Sequence, residues 1–161
     1  MSIIVNSTPL ISLALLGELD LLRKIFGEVT IPRAVYDEVI TRGENKTGYK
    51  NLTAIDWFRV SEVVHQELKR SIMVELDEGE AEVICIAKDQ GVRRVCIDEF
   101  AGRRYAKLLG LEVIGTLGVL LVAKKKGYVP QIRPCIDKLI AHNRHISAAV
   151  RDEVLRNAGE L

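Results

Sequence analysis

The chain has 161 residues, of which 48% are apolar and 28% charged, and a formal net charge of +1. Those values suit one well-buried core and argue against a fibrous, disordered or strongly polyanion-seeking protein. No apolar run approaches the roughly 20 residues that span a bilayer.

The chain opens with the apolar run Ile3-Ile4-Val5, read as a buried strand, and then Asn6-Ser7-Thr8-Pro9. Ser7 or Thr8 is suited to cap a helix, with Pro9 near its first position, where a missing N–H costs nothing. Leu10, Leu13, Ala14 and Gly17 continue at helical spacing, and Glu18–Phe26 forms a second helical stretch stopped by Gly27. Val29–Ile31 reads as a short strand, and Pro32 starts a helix over Arg33–Ile40. The polar, glycine-containing run Arg42–Asn51 reads as a loop. Leu52–Trp57 is a short helical segment, and Arg59–Val64 alternates as a strand does.

Asp77–Lys88 is a strong helix closed by Gln90-Gly91. Arg94–Ile97 is a strand, Phe100–Leu109 a helix stopped by Gly110, and Glu112–Ile114 another strand. Gly115-Thr116 makes a tight turn into the helix Leu117–Lys126, with Thr116 as its cap. Ile132–Asn143 and Ser147–Asn157 form a C-terminal helical hairpin. Strands separated by helices predict a parallel sheet covered on both faces, in one domain over residues 1–161. In such sheets ligands lie beyond the carboxyl ends of the strands, at a topological switch point.

The start of the chain lacks the basic region and small-residue cleavage site of a secretory leader, so the expectation is a cytoplasmic protein with no membrane segment. Cys85, Cys96 and Cys135 are odd in number and not spaced as C-x-x-C, which fits buried reduced thiols rather than a disulfide or zinc framework. His65, His142 and His145 make no metal pattern with the acids and read as surface residues.

Charge is unevenly distributed. Between Lys124 and Arg151 there are seven Lys and Arg against one acid, Asp137, whereas Glu75–Glu82 carries five acids and no base. A basic tail beside an acidic pocket is one way to hold a polyanion over bound metal; solvated helix faces carry such charges too.

Four positions stand out: Asn6 at a strand tip, Glu38 in VYDEVI, Glu80 in LDEGEAEVICIA and Asp98, with Glu99 beside it, after VCI. Carboxylates gathered in one place repel one another and are explained by a hard divalent cation, which takes oxygen ligands. Such an ion orients water and lowers its pKa for displacement at phosphorus. Each acid also has an ordinary explanation. Asp77 and Glu80 have capping-box spacing, Glu38 suits a solvated helix face, and Asp98 and Asn6 suit helix caps.

Taken in order, VNSTPLISLALLGELDLL, FGEVTIPRAVYDEV, LDEGEAEVICIA, CIDEFAGRRYAKLLGLEVIGTLGVLLVAKKKG and IDKLIAHNRHIS resemble the PIN-domain family. The nearest branch is that of the VapC-like proteins of prokaryotic type II toxin–antitoxin systems. The resemblance implies a three-layer α/β/α sandwich with a mostly parallel central sheet. It also implies an endoribonuclease dependent on Mg²⁺ or Mn²⁺. It places catalytic and metal-binding roles on Asn6, Glu38, Glu80 and Asp98, with Glu99 as a further metal ligand.

The departure is Asn6, where the family usually has Asp. An amide offers a neutral oxygen and removes one negative charge, so metal affinity and activity are expected to fall. The implied partners are an RNA substrate, an antitoxin protein and a second copy in a homodimer. Two other readings compete: a PIN fold that has lost catalysis and binds RNA or protein, and a small-molecule enzyme or receiver-like domain on a doubly wound sheet.

Overall fold

The computed structural model describes residues 1–42 and 50–161. Among them are five strands: β1 (Ser2–Val5), β2 (Glu28–Pro32), β3 (Arg59–Ser61), β4 (Arg94–Cys96) and β5 (Glu112–Ile114). They form one sheet in the order β3-β2-β1-β4-β5, and every neighbouring pair is parallel. Ile4 of β1 faces Thr30 on one side and Val95 on the other. The chain runs outward from β1 to β2 and β3, then returns to β4 on the other flank of β1. The switch point therefore lies between β1 and β4, beyond Val5 and Cys96.

Helices occupy the connections. α1 (Ser7–Leu15) and α2 (Asp20–Phe26) link β1 to β2, and α3 (Arg33–Tyr36) follows β2. α4 (Lys50–Thr53) precedes β3. α5 (Gln66–Ile72) and α6 (Glu78–Gln90) link β3 to β4, α7 (Phe100–Leu108) joins β4 to β5, and α8 (Thr116–Lys125), α9 (Arg133–Ala141) and α10 (Ala148–Asn157) close the chain.

Alternation along β1 sends its side chains into two cores. Ile3 and Val5 join Leu10, Leu13, Leu22, Val119, Leu120 and Ile136 on one face. Ile4 joins Ile72, Val83, Ile84, Val95 and Ile97 on the other. Each fully buried Leu or Ile contributes roughly 1.5–3 kcal/mol, and a parallel sheet needs both faces covered because its crossovers carry helices. The result is the three-layer α/β/α architecture expected from the sequence.

Several boundaries differ from the sequence reading. The helix expected over Arg33–Ile40 is α-helical only to Tyr36 and then widens into a π-turn, Asp37–Thr41. The strand expected over Arg59–Val64 ends at Ser61. Helix α5 had no counterpart in the sequence reading. The Arg42–Asn51 loop falls largely outside the described residues.

Cys85 and Cys96 are buried, Cys135 is partly so, and all three are free thiols. Burial, followed by the charges of Asp89 and Glu82, pushes the Cys85 thiol up to about 11. No described helix is long and apolar enough to cross a membrane.

Candidate functional site

At the switch point, the Asn6 N–H donates to the Cys96 carbonyl at 3.0 Å and ties the end of β1 to the end of β4. Asn6 is the N-cap of α1 by position, yet its side chain makes no capping bond. Its side chain is 2% exposed, and Oδ1 is buried with no hydrogen-bond partner. That oxygen lies over the start of α6, where a Cβ at Gly79 would come within 3.0 Å of it. The glycine of LDEGE thus admits Asn6 to the helix start.

Glu80 stands one residue further along α6. The capping box is formed: the Glu80 N–H donates to Asp77 Oδ1 at 2.8 Å, and the Asp77 N–H donates to Glu80 Oε1 at 3.3 Å. The other carboxylate oxygen, Oε2, is buried without a partner. It rests against α7, where any Cβ at Gly102 would collide with it. Burial first, then the negative charges of Asp77 and Glu99, push the Glu80 carboxyl up to about 7.

Asp98, just past β4, faces the start of α8. Its Oδ1 accepts from the Thr116 N–H, and its Oδ2 accepts from the Thr116 hydroxyl, both at 2.7 Å. Gly115 makes room for this pairing, since a Cβ there would lie 2.8 Å from Asp98 Oδ1 and 2.9 Å from Arg103 Nη1. Arg103 itself donates to the Ile97 carbonyl at 2.9 Å. Glu99 is the N-cap of α7 without a capping bond from its side chain, which instead accepts from the Thr8 hydroxyl at 2.6 Å.

The caps expected at Ser7 or Thr8 and at Thr116 fall instead on Asn6 and Gly115. Thr8 and Thr116 each sit two or three residues past a strand tip, and each hydroxyl is given to an acid just beyond β4 rather than to its own helix. The signal available in sequence is that position: a hydroxyl two or three residues past a strand whose neighbour is followed closely by Asp-Glu.

Glu38 lies apart in character. It is exposed on the π-turn and forms no hydrogen bond or ion pair among the described residues. Glu82, in the same acidic stretch as Glu80, has a structural task. It accepts from the Ala34 N–H at 2.9 Å, at the start of α3, and from Lys69 Nζ at 2.7 Å on α5.

Among the described residues no three Asp, Glu, His or Cys side chains form a ready metal cluster. The chemistry of the donors nevertheless suits a hard cation. Asn6, Glu80, Asp98 and Glu99 offer only oxygen, and two of those oxygens are buried and unsatisfied. An unsatisfied buried polar atom costs about 1–3 kcal/mol, a cost that an oxygen-seeking ion or its bound water removes.

A family model described as a PIN domain matches residues 2–160 of the chain. No curated protein and no solved structure matches it.

Proposed function

The chain belongs to the PIN-domain family, whose fold is of nuclease type and whose members generally use divalent metal ions, and from that premise we propose that it is a metal-dependent endoribonuclease weakened by Asn6. The observation that carries this reading is the pair of orphaned buried oxygens, Asn6 Oδ1 and Glu80 Oε2, at the carboxyl edge of the sheet. Asn6, Glu80, Asp98 and Glu99 would hold Mg²⁺ or Mn²⁺, with Glu38 contributing from the π-turn. When bound, the ion supplies Lewis-acid activation of water and stabilises charge at phosphorus.

The chain's own groups have separable tasks. Glu80 supplies negative charge in its ionised form, which burial disfavours. Asp98, held by both donors of Thr116, has little freedom and loses little entropy on engaging a ligand. Glu99, fixed by Thr8, adds charge beside Glu80. The amide of Asn6 lowers the total charge by one and with it the affinity for a divalent ion. An antitoxin that silences the enzyme and a homodimeric state complete the proposal.

Magnesium or manganese titration followed by incubation with total RNA tests the reading. Cleavage should need the ion and fall about 100-fold or more in Asp98→Asn, with melting curves confirming that the variant folds. Undiminished cleavage by that variant would remove Asp98 from the mechanism. The binding-module reading is favoured by the neutral Asn6 itself. It predicts no cleavage by the natural sequence and activity only after Asn6→Asp, whereas metal-dependent cleavage by the chain as it stands excludes it.

A further inference from the structure

The basic residues of the C-terminal third divide by what they meet. Lys124 pairs with Glu160 at 3.0 Å, Arg133 donates to the Glu160 carbonyl at 2.7 Å, and Arg151 pairs with Asp137 and Asp152. Lys126 lines a cavity shared with Met1 and Arg94, toward the opposite end of the sheet. Arg144 differs from all of these. It is half-buried, has no ion pair among the described residues, and lines a cavity of about 320 Å³ together with Thr8, Ser12, Asp98, Thr116 and His145.

The backbone fixes Arg144 in that place. Helix α9 ends in a Schellman turn: the Asn143 N–H donates to the Ile140 carbonyl and the Arg144 N–H to the Leu139 carbonyl, each at 3.0 Å. Asn143 takes the left-handed conformation this turn requires, with φ 63°, and asparagine tolerates it better than other side-chain-bearing residues. The chain therefore reverses directly after α9, and Arg144 falls beside the cavity.

Asp98 lines the same cavity but forms no ion pair with Arg144, and its two oxygens are turned to Thr116. A half-buried guanidinium left without an anion presents a planar fork of donors that matches the two free oxygens of a phosphodiester. Ser12 and Thr116 line the same cavity, so its wall beside Arg144 is polar. Its volume falls near the lower end of the roughly 300–1,000 Å³ typical of ligand sites, which suits one nucleotide of a single strand rather than a duplex.

Building on the nuclease reading, we infer that Arg144 is a phosphate-binding residue for single-stranded RNA. It holds a backbone phosphate adjacent to the one presented to Asp98 and so sets the register of the strand. His145 flanks the same phosphate.

The test is binding without cleavage. Fluorescence anisotropy of a labelled ten-nucleotide RNA is measured in EDTA across a salt series, for the natural chain, Arg144→Gln, Arg144→Lys and Lys107→Gln. Lys107 is exposed on α7, away from this cavity. Arg144→Gln should weaken binding about tenfold and reduce the slope of log K against log salt by about one. Arg144→Lys should recover part of the affinity, and Lys107→Gln should bind as the natural chain does. Arg144-dependent binding by a chain that cleaves nothing with Mg²⁺ or Mn²⁺ supports the phosphate site and removes the nuclease reading. Metal-dependent cleavage with Kd and KM unmoved by Arg144→Gln overturns the site and leaves the nuclease reading intact. Absence of RNA binding by the natural chain, or an equal loss in Lys107→Gln, also overturns it.

Discussion

Glu80 serves two masters. One oxygen closes the capping box of α6, while the other is buried against Gly102 with nothing to bond. Burial and its acidic neighbours raise its folded pKa to about 7, above the ordinary 4.5. A raised value means that the protonated form is the one the fold favours. Its stabilising contribution is complete below about pH 4.5 and disappears as pH rises through 7. Glu80→Gln stays neutral throughout, so without metal the variant should gain on the natural chain as pH rises from about 4.5 to about 7 and hold that gain above it. The difference should change by up to about 1.4 kcal/mol per pH unit. Urea melts at several pH values measure this, and a flat difference would show that Glu80 is not held protonated. The positions of Asn6, Glu80 and Asp98 were legible in the sequence because strand tips and helix starts announce themselves through apolar runs, Gly and capping patterns. Their partners were not. Nothing in the spacing of Asp98 and Thr116 says that both carboxylate oxygens meet one threonine, because that contact is made between separate connections of the sheet.

Among the helices, α9 depends on a residue from beyond α10. The Glu160 carboxylate accepts from the N–H groups of Ile132 and Arg133 at 2.8 and 3.0 Å, satisfying donors at the helix start, and also meets Lys124. Burial opposes ionisation of Glu160, but those three donors outweigh it and hold the carboxyl below its ordinary value. A lowered pKa contributes stability above about pH 4.5 that is lost as pH falls through the folded value. Glu160→Gln should therefore destabilise the protein by about 1.5–3 kcal/mol at pH 7, with the gap closing toward pH 3. Thermal or urea melts at both ends of that range check the sign. The longer helices were legible from caps and glycine stops: Asp77 and Gly91 bound α6 as expected. Helix α5 escaped because only Ile72 of its seven residues is buried, leaving too little apolar periodicity to see. The π-turn after α3 escaped because a widened turn keeps helical composition while changing its hydrogen bonds.

At the scale of the molecule, sheet order brings the site together. Asn6, Asp98 and Glu99 reach one edge because β1 and β4 are neighbours, and Glu80 arrives there on the helix that crosses between β3 and β4. Alternating strands and helices made this α/β sheet legible, but strand order had to come from the structure, since it depends on where each crossover returns. A bound divalent ion would act on the whole fold through linkage. At a concentration about 100-fold above Kd it adds roughly 2.7 kcal/mol, or a rise in Tm of about 5–11 °C for a chain of this size. Differential scanning calorimetry with and without Mn²⁺ should show that rise, and Asn6→Asp should reach it at lower Mn²⁺. No shift at millimolar Mn²⁺ in either protein would count against an ion at this edge. The margins of the sheet carry a different consequence. Its outermost strands, β3 and β5, have three residues each, so neither rim offers a template long enough for another chain to extend the ladder. Strand addition at either rim is therefore disfavoured, and with it the open-ended stacking by which exposed sheets grow into fibres.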